Sequence, residues 1–356
     1  MRIAFDVSPL SHPRTGVGNY IRGSLAGLVE AAGDEHEVVA FAPTNPQGLR
    51  RIPEALAGIP VETRLRFLPF AHVWRQGWSR LGRPPVERFL GPLDVLHFTD
   101  WMYPPQRGGI RSTMVHDLVP VRFPEWVQGR TKRMHGAKYR NAARTCDVIF
   151  VNSEFTKREV VELLGVAAEK VVVAYPGVAE RYSREGDRAE LGRPYVLTVA
   201  TLEPRKNLKT LLDARLPDGH ALAVVGAAGW GPQPPLDRPD VIRLGYVDDD
   251  ELARLYRGAA AFVYPSRFEG FGIPIVEAQA SGVPVVASAH PSLDEAAGDA
   301  GVRADPDSPE AISAGIEEAI RRREELVPRG LAHAARFRWT DTGRAMLDAF
   351  SARLQA

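Results

Sequence analysis

The sequence predicts an α/β protein of two doubly wound, parallel-sheet domains that face each other across a cleft. Three observations carry this expectation. The chain has 356 residues, more than twice the usual size of one domain, and its 44% hydrophobic and 25% charged residues are those of an ordinary soluble globular protein. Short apolar runs rich in Val and Ile alternate with longer stretches of helical period, the pattern of parallel strands joined by crossover helices. Between Tyr175-Pro176-Gly177 and Gly192-Arg193-Pro194 the apolar periodicity disappears, which places a domain boundary there and makes the N-terminal domain 1–177.

The expected strands of the first half are Arg2–Val7, His36–Phe41, Val61–Phe67, Asp94–Thr99, Ser112–His116 and Asp147–Asn152, with helices between them. The second half repeats the scheme with Lys170–Ala174, Tyr195–Val199, Ala221–Val225, Val241–Leu244, Ala260–Tyr264 and Pro284–Ala287. Asp248-Asp249-Asp250 precedes Glu251-Leu252-Ala253-Arg254-Leu255-Tyr256, so the triplet reads as an N-cap and acidic first turn, not as a metal site. A further helix is expected over Ile273–Ser281, with Pro274 early in it and Glu277 in its first turn. Ligands of doubly wound sheets bind outside the carboxyl ends of the strands. Those ends are therefore the candidate sites.

Charge is distributed unevenly. Lys plus Arg (45) nearly cancels Asp plus Glu (44), so the whole-chain charge of +1 gives no support to nucleic-acid binding. Up to Gly177 there are 23 basic and 17 acidic residues, a net of +6; from Val178 onward there are 22 and 27, a net of −5. Between Glu62 and Glu87 there are no acids, but Arg64, Arg66, Arg75, Arg80 and Arg83 are interleaved with Phe67, Phe70, Trp74 and Trp78. Arg130, Lys132, Arg133, Lys138, Arg140 and Arg144 form a second acid-free stretch. Such segments suit an anionic membrane surface or a phosphate-bearing substrate, and equally a solvated helix face.

The single cysteine, Cys146, excludes an intramolecular disulfide framework and reads as a packed core thiol. No apolar run approaches a membrane span, and Asp6 interrupts what would be a signal-peptide core. A cytoplasmic protein is expected, free or resting on the inner membrane face. His12, His36, His72, His97, His135, His220, His290 and His333 show no metal-ligand spacing, and no metal is expected.

Thr15-Gly16-Val17-Gly18-Asn19-Tyr20 follows the first strand, where helix-start amides favour an anion. Ile21 stands where a dinucleotide fingerprint needs glycine, so the segment is open to two readings, a structural turn or a phosphate loop. More informative is Pro265-Ser266-Arg267-Phe268-Glu269-Gly270-Phe271-Gly272-Ile273-Pro274-Ile275-Val276-Glu277. A glycine-rich loop at a helix start suits a diphosphate, and carboxylates on either side of it, Glu269 and Glu277, could accept hydrogen bonds from a sugar and a ribose. Arg205 and Lys206 lie beyond an earlier strand and can neutralise a leaving diphosphate without a metal.

The E-x7-E spacing of Glu269 and Glu277 resembles the retaining glycosyltransferases of family 4, of GT-B fold. Gly245-Tyr246-Val247, Ser281-Gly282-Val283-Pro284 and Thr201-Leu202-Glu203-Pro204-Arg205-Lys206-Asn207 are similar to other parts of the family's C-terminal domain. Phe337-Arg338-Trp339 resembles the tail that crosses back, which implies a donor domain of 178–339 and a returning helix at about 340–356.

The resemblance implies a nucleotide-sugar donor held by the C-terminal domain, and a glycan, glycolipid or small-molecule acceptor held by the N-terminal one. It implies that Glu269 binds sugar hydroxyls, Glu277 the ribose, and Arg205 with Lys206 the diphosphate. His116 would stand near the transferred sugar, with His116 and Glu269 as the catalytic pair and Asp117 fixing the loop. Gly16, Tyr246, Val247, Gly270, Phe271, Gly272 and Ile273 would complete the donor site. Ala200-Thr201 replaces the Gly-Arg pair common in the family, which shifts phosphate neutralisation onto Arg205 and Lys206. The Thr-Leu-Glu-Pro-Arg-Lys form resembles the mannosyltransferase subset and points to GDP-mannose. The rival readings are a nucleotide-sugar epimerase, a phosphorylase-like enzyme of the same architecture, and a non-catalytic two-domain binding protein.

Overall fold

Two all-parallel sheets organise the chain, and a computed structural model describes it except at residues 13–14, 100–101, 228, 230–233 and 356 and the side chains of 71–72. One unit comprises residues 1–177 together with 338–356, and the other comprises 178–337.

The N-terminal unit contains β1 (Arg2–Asp6), α1 (Gly16–Ala32), β2 (Glu37–Thr44), α2 (Pro46–Ala55) and β3 (Glu62–Phe67). It continues with α3 (Ala71–Leu81), α4 (Glu87–Leu90), β4 (Val95–Phe98), β5 (Ile110–Val115), α5 (Val119–Arg122) and α6 (Gly129–Thr145). β6 (Val148–Val151), α7 (Glu154–Leu164) and β7 (Val171–Val173) complete it before the domain boundary. The strand order is β3-β2-β1-β4-β5-β6-β7, which reverses between β1 and β4. Central strands are covered on both faces, so Phe5, Val95, Ile149 and Phe150 are fully buried, each contributing about 1.5–3 kcal/mol. β7 corresponds to the Lys170–Ala174 run that the sequence grouped with the second half. It pairs with β6 instead, Ile149 beside Val171, and closes the first sheet.

The C-terminal helix, Trp339–Gln355, belongs to this unit and packs along α1. Trp339 stacks edge-on with Tyr20 at 5.6 Å, and Phe350 meets Phe150 at 5.4 Å. Cys146 is buried behind β6, and burial pushes its thiol up to about 12.

The second unit holds β8 (Tyr195–Val199), α8 (Leu208–Asp213), β9 (Ala221–Val225), β10 (Val241–Gly245), α9 (Asp249–Gly258) and β11 (Ala261–Tyr264). α10 (Ile273–Ala280), β12 (Val285–Ser288), α11 (Asp294–Ala297), β13 (Gly301–Ala304), α12 (Pro309–Arg321) and α13 (Arg323–Ala334) follow. Its order, β10-β9-β8-β11-β12-β13, reverses between β8 and β11. β13 is absent from the sequence expectation, because four residues interrupted by Arg303 carry too little apolar pattern; pairing with β12 secures it. Asp248 is the N-cap of α9, its carboxylate accepting from the Glu251 amide at 2.8 Å.

Candidate functional site

Strand order in the second sheet reverses between β8 and β11, the kind of place where doubly wound sheets bind ligands, and Arg205, Lys206 and Glu269 meet at the carboxyl ends of these two strands. After β8 the chain makes a short 3-10 turn, Pro204–Lys206, ended by Asn207 in the left-handed region at φ 58°. Asn207 is buried and donates from Nδ2 to Pro265 O at 3.1 Å and Pro306 O at 2.6 Å. That anchors the Arg205-Lys206 turn against the loop after β11. The Arg267 amide completes the tie by donating to Arg205 O at 2.9 Å.

Glu269 is the centre of the cluster. Arg205 Nη1 donates to its Oε2 at 2.8 Å, and Lys206 Nζ donates to its Oε1 at 2.6 Å. Tyr264, the last residue of β11, donates its hydroxyl to the same Oε1 at 3.1 Å and accepts from Lys206 Nζ at 2.7 Å. Burial works to raise the Glu269 pKa, but attraction to Arg205 and then Lys206 overrides it and holds the carboxyl at about 2. Lys206 is pulled below its usual range by burial and by Arg205, against the opposing pull of Glu269. The Glu269 amide donates to Ser292 Oγ at 3.1 Å, so this group supports the loop. Sequence reasoning left Glu203 and Tyr264 without a role. Glu203 pairs with Arg205 at 3.1 Å, so two cations and two carboxylates balance before any ligand arrives.

Gly272 caps α10 at φ 101°, followed by Ile273 and by Pro274, whose missing amide suits a helix start. Glu277 is the fifth helical residue and stands in the second turn, not in the first as expected, because the helix begins directly after Gly272. It is buried and accepts from the Tyr256 hydroxyl at 3.3 Å. Gly270 lies buried in the loop, and Phe271 packs on Phe337 at 5.2 Å, a core contact. Tyr246, exposed, and Val247, half-buried, follow the edge strand β10, two strands away from β8, and are not part of the charged cluster.

Gly16 and His116 belong to the N-terminal unit. Gly16 opens α1, whose N-cap Thr15 accepts from the Gly18 amide at 3.2 Å, and a Cβ on Gly16 would meet no atom of the described residues within 4 Å. His116 follows β5, beside the strand-order reversal, with its ring edge-on to Tyr20 at 5.1 Å. Its Nε2 is buried with no hydrogen-bond partner among the described residues. Burial, then Lys138, His135 and His97, lowers its pKa to about 3, so the ring is neutral near pH 7. Asp117 turns away to accept from the Val119 amide at 3.1 Å, fixing the loop.

His97, in the core of the same unit, is likewise lowered to about 3 by burial and by Lys138. Its folded pKa lies below the unfolded value of 6.5, so the unfolded chain binds the extra proton. Stability is then full above about pH 6.5 and is lost as pH falls toward 3. At pH 5 the loss amounts to about 2 kcal/mol for this group. Buried His116 and His135 add losses of the same sign, so denaturant titrations at pH 7.5 and 5 should show a larger total, and His97→Gln should reduce it by about 2 kcal/mol; an equal pH dependence in the variant would refute the assignment.

Comparison with known proteins gives the family and the fold. Residues 193–322 match the family described as glycosyl transferases group 1, and residues 14–181 match glycosyltransferase family 4. O-antigen chain mannosyltransferase B of Escherichia coli is 30% identical, over 98% of this chain and 99% of that one. The chain belongs to glycosyltransferase family 4. D-inositol 3-phosphate glycosyltransferase of Nocardia farcinica is 28% identical to this glycosyltransferase over 99% of the chain and 89% of its own length. Among solved structures, Anabaena HepE in complex with UDP-glucose superposes with a TM-score of 0.70 at 17% identity, covering 99% of this chain and 100% of that one. Sucrose-phosphate synthase from Thermosynechococcus elongatus gives a TM-score of 0.70 at 18% identity, with 100% and 99% covered. Those likenesses show the GT-B fold of this family 4 enzyme.

Proposed function

We propose that this glycosyltransferase moves mannose from GDP-mannose to a hydroxyl of a growing cell-surface polysaccharide, with retention of anomeric configuration. The observation that carries the reading is the end-to-end similarity to a mannosyltransferase of O-antigen chains. In the proposed reaction the bond from the sugar's anomeric carbon to the diphosphate breaks, and the acceptor oxygen bonds to that carbon on the same face. The acceptor's proton passes to a donor phosphate oxygen. Arg205 and Lys206 offset the charge that develops on the leaving diphosphate, and no metal is invoked. Glu269, held ionised, accepts from sugar hydroxyls, while Glu277 accepts from the ribose. Tyr246 and Val247 reach the nucleoside from the sheet edge, and Gly270, Gly272 and Ile273 give the diphosphate its backbone approach. His116, neutral with Nε2 unpartnered, serves the transferred sugar as a hydrogen-bonding group. It does not act as a general acid.

Thermal stabilisation by GDP, UDP and ADP at equal concentration tests the donor, since a ligand of the native state alone raises stability by mass action. GDP should give the largest rise, and EDTA should leave transfer from GDP-mannose intact. Glu277→Gln should raise the donor KM, while His116→Ala should lower turnover by about 10-fold or more with little change in donor KM. Unchanged kinetics in both variants would sink the site roles, and conversion of GDP-mannose without acceptor would favour an epimerase.

A further inference from the structure

Outside the donor site, the N-terminal unit contains an apolar cavity of about 430 Å³ between β2, β3 and α3. Val73, Trp74, Trp78, Leu81 and Phe89 supply much of its wall. Trp74, Val73 and Leu81 are each more than half exposed, as are the neighbouring Phe67 and Phe70. Scattered apolar side chains on a surface need no explanation, but a contiguous concave set does.

A second, open cavity of about 660 Å³ adjoins the first, sharing Arg83 and Pro84 with it. Arg83, Arg88 and Arg107 line this second space, and among the described residues no acid does. None of the three guanidinium groups has an ion-pair partner among the described residues. The nearby carboxylate of Glu87 is turned to the backbone and accepts from the Arg107 amide at 2.7 Å.

An apolar groove that ends at three unpaired guanidinium groups is complementary to one kind of molecule, an amphiphile with a hydrocarbon chain and a phosphate head. Burying chain against the indoles is favourable by about 25 cal/mol per Å². Arginine forks match phosphate oxygens in pairs. A concave seat favours a single inserted chain over contact with a flat bilayer. We propose that the adjoining cavities hold the lipid-phosphate anchor of the acceptor, chain on Trp74 and Trp78, phosphate on Arg83, Arg88 and Arg107. This deepens the polysaccharide-transfer reading and rests on it.

Calorimetric titration of the full chain with a C15 prenyl monophosphate, the C15 prenyl alcohol and inorganic phosphate tests the proposal without any donor. Gly77 lines the apolar cavity, and a Cβ there meets no described atom within 4 Å, so Gly77→Leu directs a side chain into the groove. The prenyl phosphate should bind, with its Kd raised at least tenfold by Gly77→Leu and again by Arg83→Glu with Arg88→Glu. The alcohol should bind more weakly, and inorganic phosphate should give no measurable heat. Equal affinity in all variants would overturn the proposal. Two further outcomes would do the same: binding confined to phosphatidylglycerol vesicles and indifferent to Gly77→Leu, or self-association abolished by Gly77→Leu without prenyl phosphate binding. Seating of the prenyl phosphate with no transfer from GDP-mannose would instead count against the transferase reading alone.

Discussion

A Lys206→Met enzyme is expected to lose about 10²–10³-fold in kcat/KM for GDP-mannose, the scale of removing one preorganised charge from a developing oxyanion. The fold should lose about 1–3 kcal/mol, because Arg205 and the Tyr264 hydroxyl still hold Glu269. Glu269→Ala should lose transfer as well, and more of the fold. It leaves the buried Lys206 ammonium without its carboxylate, and its stability cost should exceed that of Lys206→Met. Donor binding offers an independent readout: GDP raises the melting temperature of the wild type by mass action and should do so far less for Lys206→Met. A rate within threefold of wild type, with the GDP effect intact, would remove Lys206 from the donor site.

The place of this cluster was legible in the chain, but its pairing was not. Arg205 and Glu269 each follow a strand of Val, Leu or Phe, and strand ends are where doubly wound sheets bind ligands. Nothing in a separation of 63 residues says that Lys206 Nζ touches the Glu269 carboxylate. That contact depends on β8 lying beside β11, a matter of sheet order. Tyr264 escaped for a related reason. An aromatic at the end of an apolar strand reads as core, and only the geometry shows its hydroxyl between an ammonium and a carboxylate. Strands followed the same logic. β3 was recoverable despite three charged residues because its alternation is regular, whereas β13 is short and carries Arg303. The basic, aromatic stretch from Arg64 to Arg83 was visible as composition, yet only the structure shows that Arg64, Arg66 and Arg83 share the wall of one cavity with Trp74 and Trp78, and that Arg83 also lines the next one with Arg88 and Arg107.

Gly343→Ala should destabilise the N-terminal unit by about 3 kcal/mol or more, at the upper end of what overpacking costs. Local propensity argues the other way, since alanine favours a helix interior over glycine by about 1 kcal/mol. Packing decides the sign. A Cβ on Gly343 would lie 2.0 Å from the carbonyl carbon of Gly27 and 2.3 Å from the Leu28 nitrogen, both backbone atoms of α1 that no rotamer change can move. The seam is reciprocal: a Cβ on Gly27 would lie 1.8 Å from Trp339 O, and one on Gly23 would sit inside the Trp339 indole. Two helices more than 300 residues apart in sequence therefore touch backbone to backbone, and separating them would uncover Trp339, Met346 and Phe350. For a unit of this size, 3 kcal/mol corresponds to a fall of about 6–12 °C in Tm. Differential scanning calorimetry should place that fall in the transition of the N-terminal unit. Gly77→Ala, where the added carbon meets no described atom within 4 Å, serves as the control and should hold or raise Tm. A Gly343→Ala protein that melts no earlier than wild type would mean that the C-terminal helix is not held against α1 as described.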